Sequence, residues 1–152
     1  MPHTFYKIWL HVVFSTYNCE PIITSKLEFF LHKHLNHLLM ESGCFPAAIN
    51  GMPDHVHLLF QMNPNKPVAE IIRQIKNVSS HTINQSNVIE NKFAWQSGYG
   101  AFSVSESQIE KVKEYIRSQK EHHKNISFSE EFEKFLQVHA LESNGDSNFK
   151  MT

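Results

Sequence analysis

At 152 residues the chain is sized for one domain with a real core, and 41% hydrophobic with 12% aromatic residues excludes a disordered tail. A formal net charge of −1 excludes a protein that coats duplex DNA by charge alone, but leaves open single-strand binding, where bases stack on aromatic side chains. No apolar run approaches the ~20 residues of a membrane span, and Met1-Pro2-His3-Thr4 does not open a signal peptide. Cys19 and Cys44 are distant lone thiols that fit a reducing compartment, so a cytoplasmic protein without a membrane partner is expected.

The stretch Tyr6 to Thr16 is rich in β-branched and aromatic residues and reads as a strand. After Pro21, Thr24 or Ser25 can cap a helix running to about Ser42, with Leu27, Phe30, Leu31, Leu35, Leu38 and Leu39 as one apolar stripe and Gly43 as its stop. His32, His34 and His37 fall on this helix with no ligand partners nearby and read as a solvated face. Ala47 to Met52 is a short strand, Gly51-Met52-Pro53-Asp54 is turn chemistry, and His55 to Met62 is the returning strand of a hairpin. A second helix is expected from Val68 to about Asn84, facing Ile71, Ile72, Ile75 and Val78 inward and Arg73 and Lys76 outward. Phe93 to Val104 holds another strand. Ser105 with Gln108 resembles a capping box opening a helix from Glu106 to about His123. Ser129 to about Val138 is a last amphipathic segment, and 141–152 reads as a flexible tail after a single 1–140 domain. The order β-α-β-β-α-β-α defines an α+β chain of the ferredoxin-like or RRM-like split βαβ type, an antiparallel sheet with helices on one face plus a C-terminal helix.

His55 and His57 are two apart in a strand, so both imidazoles point to one face with Cα atoms ~6–7 Å apart and can converge on one metal ion. The same spacing equally describes two strand histidines facing solvent. A third ligand must come from elsewhere. Tyr115 and Gln119 are four apart on one helix face, at the edge of the stripe Ile109, Val112 and Ile116. Periodicity alone favours an ordinary amphipathic rim for that pair. His122 and His123 can reach a phosphate or metal, or simply carry charge at a helix C-terminus. The acidic residues Glu130, Glu131 and Glu133 say nothing about chemistry. Arg73, Lys76, Lys113, Arg117 and Lys120 are candidate phosphate contacts, with Trp95 and Tyr99 as candidate stacking platforms for bases.

Three segments carry a resemblance. They are Gly51-Met52-Pro53-Asp54-His55-Val56-His57-Leu58-Leu59, the run Trp95 to Val104 (WQSGYGAFSV), and Tyr115-Ile116-Arg117-Ser118-Gln119-Lys120-Glu121-His122-His123. Together they resemble the single-tyrosine HUH transposases, the TnpA proteins of the smallest bacterial insertion sequences and their REP-associated relatives. The likeness covers roughly residues 7–136. It implies His55 and His57 as metal ligands, Gln119 as the third ligand and Tyr115 as the nucleophile. It further implies Mg2+ or Mn2+ as the cofactor, single-stranded DNA with hairpin ends as the partner, and a bacterial or archaeal, nucleoid-associated setting. A homodimer in which Tyr115 of one subunit completes the site of the other is also implied. Imidazole is an unusual partner for magnesium, which favours manganese. The expected activity is cleavage and rejoining of single strands through a covalent 5′-phosphotyrosine. The alternatives are a water-using metallohydrolase or a non-catalytic single-strand-binding module on the same fold.

Overall fold

The structure, a computed structural model, describes residues 3–139 and 141. The expected tail at 141–152 therefore lies, apart from Leu141, outside the described residues. The elements are β1 Trp9–Ser15, α1 Ser25–Glu41, β2 Phe45–Met52, β3 His55–Gln61, α2 Val68–Ser86, β4 Gly100–Val104, α3 Ile109–Arg117, α4 Gln119–His122 and α5 Phe128–Val138. The strands lie in the order β2-β3-β1-β4 with every neighbouring pair antiparallel, which is the split βαβ topology.

Local chemistry explains most boundaries. The Thr24 side chain accepts a hydrogen bond from the Leu27 amide and caps α1. Gly43, at φ 82°, supplies the left-handed residue just past the helix end. Of the expected stripe, Leu27, Leu31, Leu35, Leu38 and Leu39 are buried, whereas Phe30 is exposed at the rim of the helix. By contrast, the expected helix from Glu106 to His123 is broken. Ser105 makes no capping bond and its hydroxyl instead faces Ser107 at 3.2 Å. A short 3-10 turn, Glu106–Gln108, precedes α3, and Ser118 at φ −93° and ψ 16° separates α3 from α4. Tyr115 and Gln119 thus sit on opposite sides of a helix break.

Strand alternation divides the core in two. Val12, Phe14, Val56, Leu58 and Phe60 point to one face and pack with the leucines of α1 and with Ile71, Ile72, Ile75 and Ile83 of α2. Trp9, Val13, Leu59 and Phe102 pack among side chains of the later helices, Ile109 and Ile116 of α3 and Phe128, Phe132 and Leu136 of α5. The second face, expected to be open, is therefore covered. Its apolar side chains are too many to leave in water, at ~25 cal/mol per Å² of exposed area. All of β3 from His55 to Phe60 is buried as a result. No helix among the described residues is long and apolar enough to cross a membrane.

Candidate active site

The covered face places His55 and His57 side by side at the start of β3, both fully buried. Gly51 holds this strand end in place. It pairs with Val56 across the hairpin, and a Cβ there would stand 2.1 Å from the His55 carbonyl oxygen, so only glycine fits. The helical side is pinned to β2 by Asn50, whose amide donates to the carbonyls of Ile116 at 2.9 Å and Arg117 at 3.1 Å. Lys120 adds a bond from its ammonium to the Gly51 carbonyl at 3.1 Å and an ion pair with Glu28 at 2.5 Å. The two Asn50 bonds serve carbonyls at the end of α3, next to the helix break.

Glu131 of α5 is the hub. Its Oε1 lies 2.9 Å from His57 Nε2, 3.1 Å from His123 Nε2 and 3.4 Å from His55 Nε2. Its Oε2 accepts hydrogen bonds from the Tyr115 hydroxyl and, at 3.0 Å, from the Gln119 amide. Gln119 Oε1 is in turn 3.0 Å from His55 Nε2. The outer ring nitrogens are held as well. His55 Nδ1 donates to Asp54 Oδ1 at 2.7 Å, His123 Nδ1 donates to the Ile126 carbonyl at 2.9 Å, and His57 Nδ1 shares a bond of 2.8 Å with His11 Nε2.

The structure brings the four candidates from the sequence, His55, His57, Tyr115 and Gln119, together within one chain. It adds His123, which the sequence offered as a contact to phosphate or metal or as a helix-end charge, and Glu131 and His11, which the sequence did not single out for chemistry. Glu131 had a readable signal: it lies three residues after Phe128 and four before Phe135, an acidic residue inside the stripe α5 buries. His11 alternates with Trp9 and Val13 on the buried face.

Electrostatics follow from this geometry. Burial disfavours charge on His55, but the Asp54 and Glu131 carboxylates outweigh it and raise its pKa to about 9. Burial lowers His57 to about 4, with the Glu131 carboxylate opposing and His55 and His123 adding to the fall. Burial, and then the Glu131 carboxylate, push the Tyr115 phenol up. Burial opposes ionisation of Glu131, but the three histidines hold it well below the usual carboxylate range.

One ligand atom each from His55, His57, His123 and Glu131 lies within 4.8 Å of all the others, so this buried group could hold a metal ion. The His123 side chain is 5% exposed, and its Nε2 is buried without a hydrogen-bond partner while facing into the cluster. Three imidazole nitrogens and a carboxylate oxygen are a donor set for a divalent transition ion. A mostly apolar cavity of about 710 Å3 opens beside Tyr115, lined by His11, Phe102, His122, Glu131 and Phe135.

The candidate nucleic-acid residues divide. Arg73, Lys76, Trp95 and Tyr99 line one cavity of about 490 Å3 on α2 and the segment before β4. Within it the Lys76 ammonium donates to the carbonyls of Gln96 at 2.6 Å and Gly98 at 2.8 Å, and Trp95 Nε1 donates to Ser79 Oγ at 2.9 Å. Lys113, Arg117 and Lys120 lie apart on α3 and α4, with Lys113 paired to Glu110 at 3.3 Å.

A split βαβ sheet with a buried His-hydrophobic-His pair and a tyrosine beside it is the frame of an HUH-type protein. The chain belongs to the IS200-like transposase family, whose sequence profile matches residues 4–119. It is similar to the ISDra2 transposase TnpA of Deinococcus radiodurans, with 22% identity over 119 residues, which span 75% of this chain and 85% of that one. Among solved structures it is similar to one from Deinococcus radiodurans R1 assigned as a transposase, at a TM-score of 0.63 and 21% identity, covering 78% of this chain and 95% of the other. It is also similar in fold to a REP-associated tyrosine transposase bound to a REP hairpin, at a TM-score of 0.58 and 14% identity, covering 81% of this chain and 74% of that one. The chain is thus a single-tyrosine HUH transposase by family, and its activity class is DNA cleavage and strand transfer.

Proposed function

We propose that this transposase cuts and rejoins single-stranded DNA through a covalent bond between Tyr115 and a 5′-phosphate, with a divalent metal at His55 and His57. The observation that carries the reading is the shared carboxylate: the Tyr115 hydroxyl and the Nε2 atoms of both histidines meet on Glu131. Nucleophile and candidate ligands are within one carboxylate's span. The buried His123 Nε2, 3.1 Å from Glu131 Oε1 but making no hydrogen bond, supports a cation at this cluster.

Tyr115 Oη attacks the phosphorus, the bond to the 3′-oxygen breaks, and the electron pair leaves with that oxygen. The phenol gives up its proton as the new bond forms and the departing 3′-oxygen takes one up, so a 5′-phosphotyrosine and a free 3′-hydroxyl result. The phenol proton is held toward Glu131 Oε2. At rest the phenol keeps it, because burial and the neighbouring carboxylate disfavour phenolate. A divalent ion held by His55 and His57 would supply positive charge to offset that of the phosphate. Attack by a 3′-hydroxyl on the phosphotyrosine reverses the step and joins a strand without ATP. The cavity beside Tyr115 gives space for a nucleotide at the scissile bond.

Arg73, Lys76, Trp95 and Tyr99 form the proposed groove for a folded single strand, and the hairpin bound by the REP-associated relative supports a hairpin as its ligand. Tyr115 lies with its ring centroid 5.8 Å from that of His57 of the same chain, which supports cleavage in cis. A homodimer, whether or not it shares sites, is part of the same proposal. The test is trapping with a labelled single strand drawn from DNA flanking the gene. A covalent adduct on the wild-type chain and none on Tyr115→Phe is the expected outcome. Metal-dependent hydrolysis without an adduct would support the metallohydrolase alternative, and binding without turnover the binding module.

A further inference from the structure

We infer that the metal is held by four groups of one chain, His55, His57, His123 and Glu131, with the last two supplied by the segment after the nucleophile and Gln119 kept as a positioning group. The inference rests on the proposed metal-dependent reading and extends it to residues outside the His-hydrophobic-His and tyrosine motifs.

His55 Nδ1 faces the Asp54 carboxylate and His123 Nδ1 faces the Ile126 carbonyl, so in both rings it is Nε2 that is turned into the cluster. Both Nε2 atoms stand against Glu131 Oε1, at 3.4 Å and 3.1 Å, and that of His123 is buried without a hydrogen bond. An ion at this point would be within reach of all four groups at once. The outward bonds from Nδ1 to a carboxylate and a carbonyl are those that orient metal-binding imidazoles.

Distances agree. Four atoms placed tetrahedrally at ~2.1 Å from an ion are roughly 3.4 Å apart. The three separations from Glu131 Oε1 are 2.9, 3.1 and 3.4 Å. Gln119 sits differently. Its oxygen is 3.0 Å from His55 Nε2 and its amide donates to Glu131 Oε2, so it orients the carboxylate whose other oxygen faces the three histidines. A consequence is that α5, which carries Glu131, is tied to the metal site.

The test is Mn2+ binding to the full chain by calorimetry, with pulsed EPR to count imidazole nitrogens coupled to the bound ion. The wild type should show three coupled imidazoles and His123→Ala two. Glu131→Gln and His123→Ala should each weaken Mn2+ binding by about 10-fold or more, and Gln119→Ala by less. Two coupled imidazoles in both the wild type and His123→Ala would overturn the inference, as would unchanged affinity in folded Glu131→Gln. If Glu131→Gln does not fold, the nitrogen count in His123→Ala decides. Loss of binding in His57→Ala with neither His123→Ala nor Glu131→Gln affected would overturn these ligands and leave the proposed function standing. No Mn2+ bound by the wild type would overturn both metal assignments, while the Tyr115 adduct is tested separately.

Discussion

Tyr115 and Glu131 are joined by a hydrogen bond in which the phenol donates to the same carboxylate that meets the three histidines. The nucleophile is therefore restrained by α5 before any DNA arrives. Tyr115→Phe removes the donor but keeps the ring, and Glu131 retains its other partners. A hydrogen bond to a charged group is worth ~1.5–3 kcal/mol, so the variant should be less stable by about that amount, seen as a lower urea midpoint, while keeping Mn2+ binding. An unchanged midpoint would show that the bond contributes nothing to the resting fold.

His11 holds His57 from behind, through a 2.8 Å bond between two buried rings. That bond fixes which nitrogen of His57 faces Glu131. His11→Leu should weaken Mn2+ affinity by about 10–100-fold with little change in secondary structure. Wild-type affinity measured by calorimetry would mean that packing alone orients His57.

Much of this was legible because it follows from short periods. Alternation along β3 puts His55 and His57 on one face, and four-residue spacing puts Gln119 next to Tyr115 even across the break at Ser118. Glu131 left only the trace of an acidic residue inside the α5 stripe, and His123 only that of a histidine within reach of a phosphate or metal, because their meeting depends on how α5 folds back over the sheet, a long-range packing choice. The open sheet face expected from topology fails for the same reason: Trp9, Val13, Leu59 and Phe102 need cover, and α3 and α5 provide it. Lys76 read as an outward group and Trp95 as a stacking platform, yet both have partners within the chain, since a loop carbonyl or a serine hydroxyl distant in sequence leaves no periodic trace.

Gly51 lies directly against the β3 backbone at the histidine end of the hairpin. A methyl group there meets the His55 carbonyl oxygen at 2.1 Å and the Val56 Cα at 2.9 Å, both backbone atoms that cannot swing away. Gly51→Ala should cost about 1–3 kcal/mol or more in urea unfolding, and should reduce Mn2+ affinity by displacing His55. Full stability would show that the hairpin can shift register locally.

The same-chain placement of Tyr115 beside His57 predicts the outcome of mixing variants. Tyr115→Phe and His57→Ala chains, refolded together, should recover no cleavage beyond either alone. Recovery toward half of the wild-type rate would instead place Tyr115 in the site of a second copy.

The most direct measurement is mass spectrometry of the protein after reaction with a labelled single strand and Mn2+. A nucleotide attached through its 5′-phosphate to the peptide carrying Tyr115, with a free 3′-hydroxyl on the released fragment, is the predicted result. A strand cut with no protein-bound nucleotide, an adduct on Tyr99 or another residue, or a 3′-phosphate linkage would contradict it.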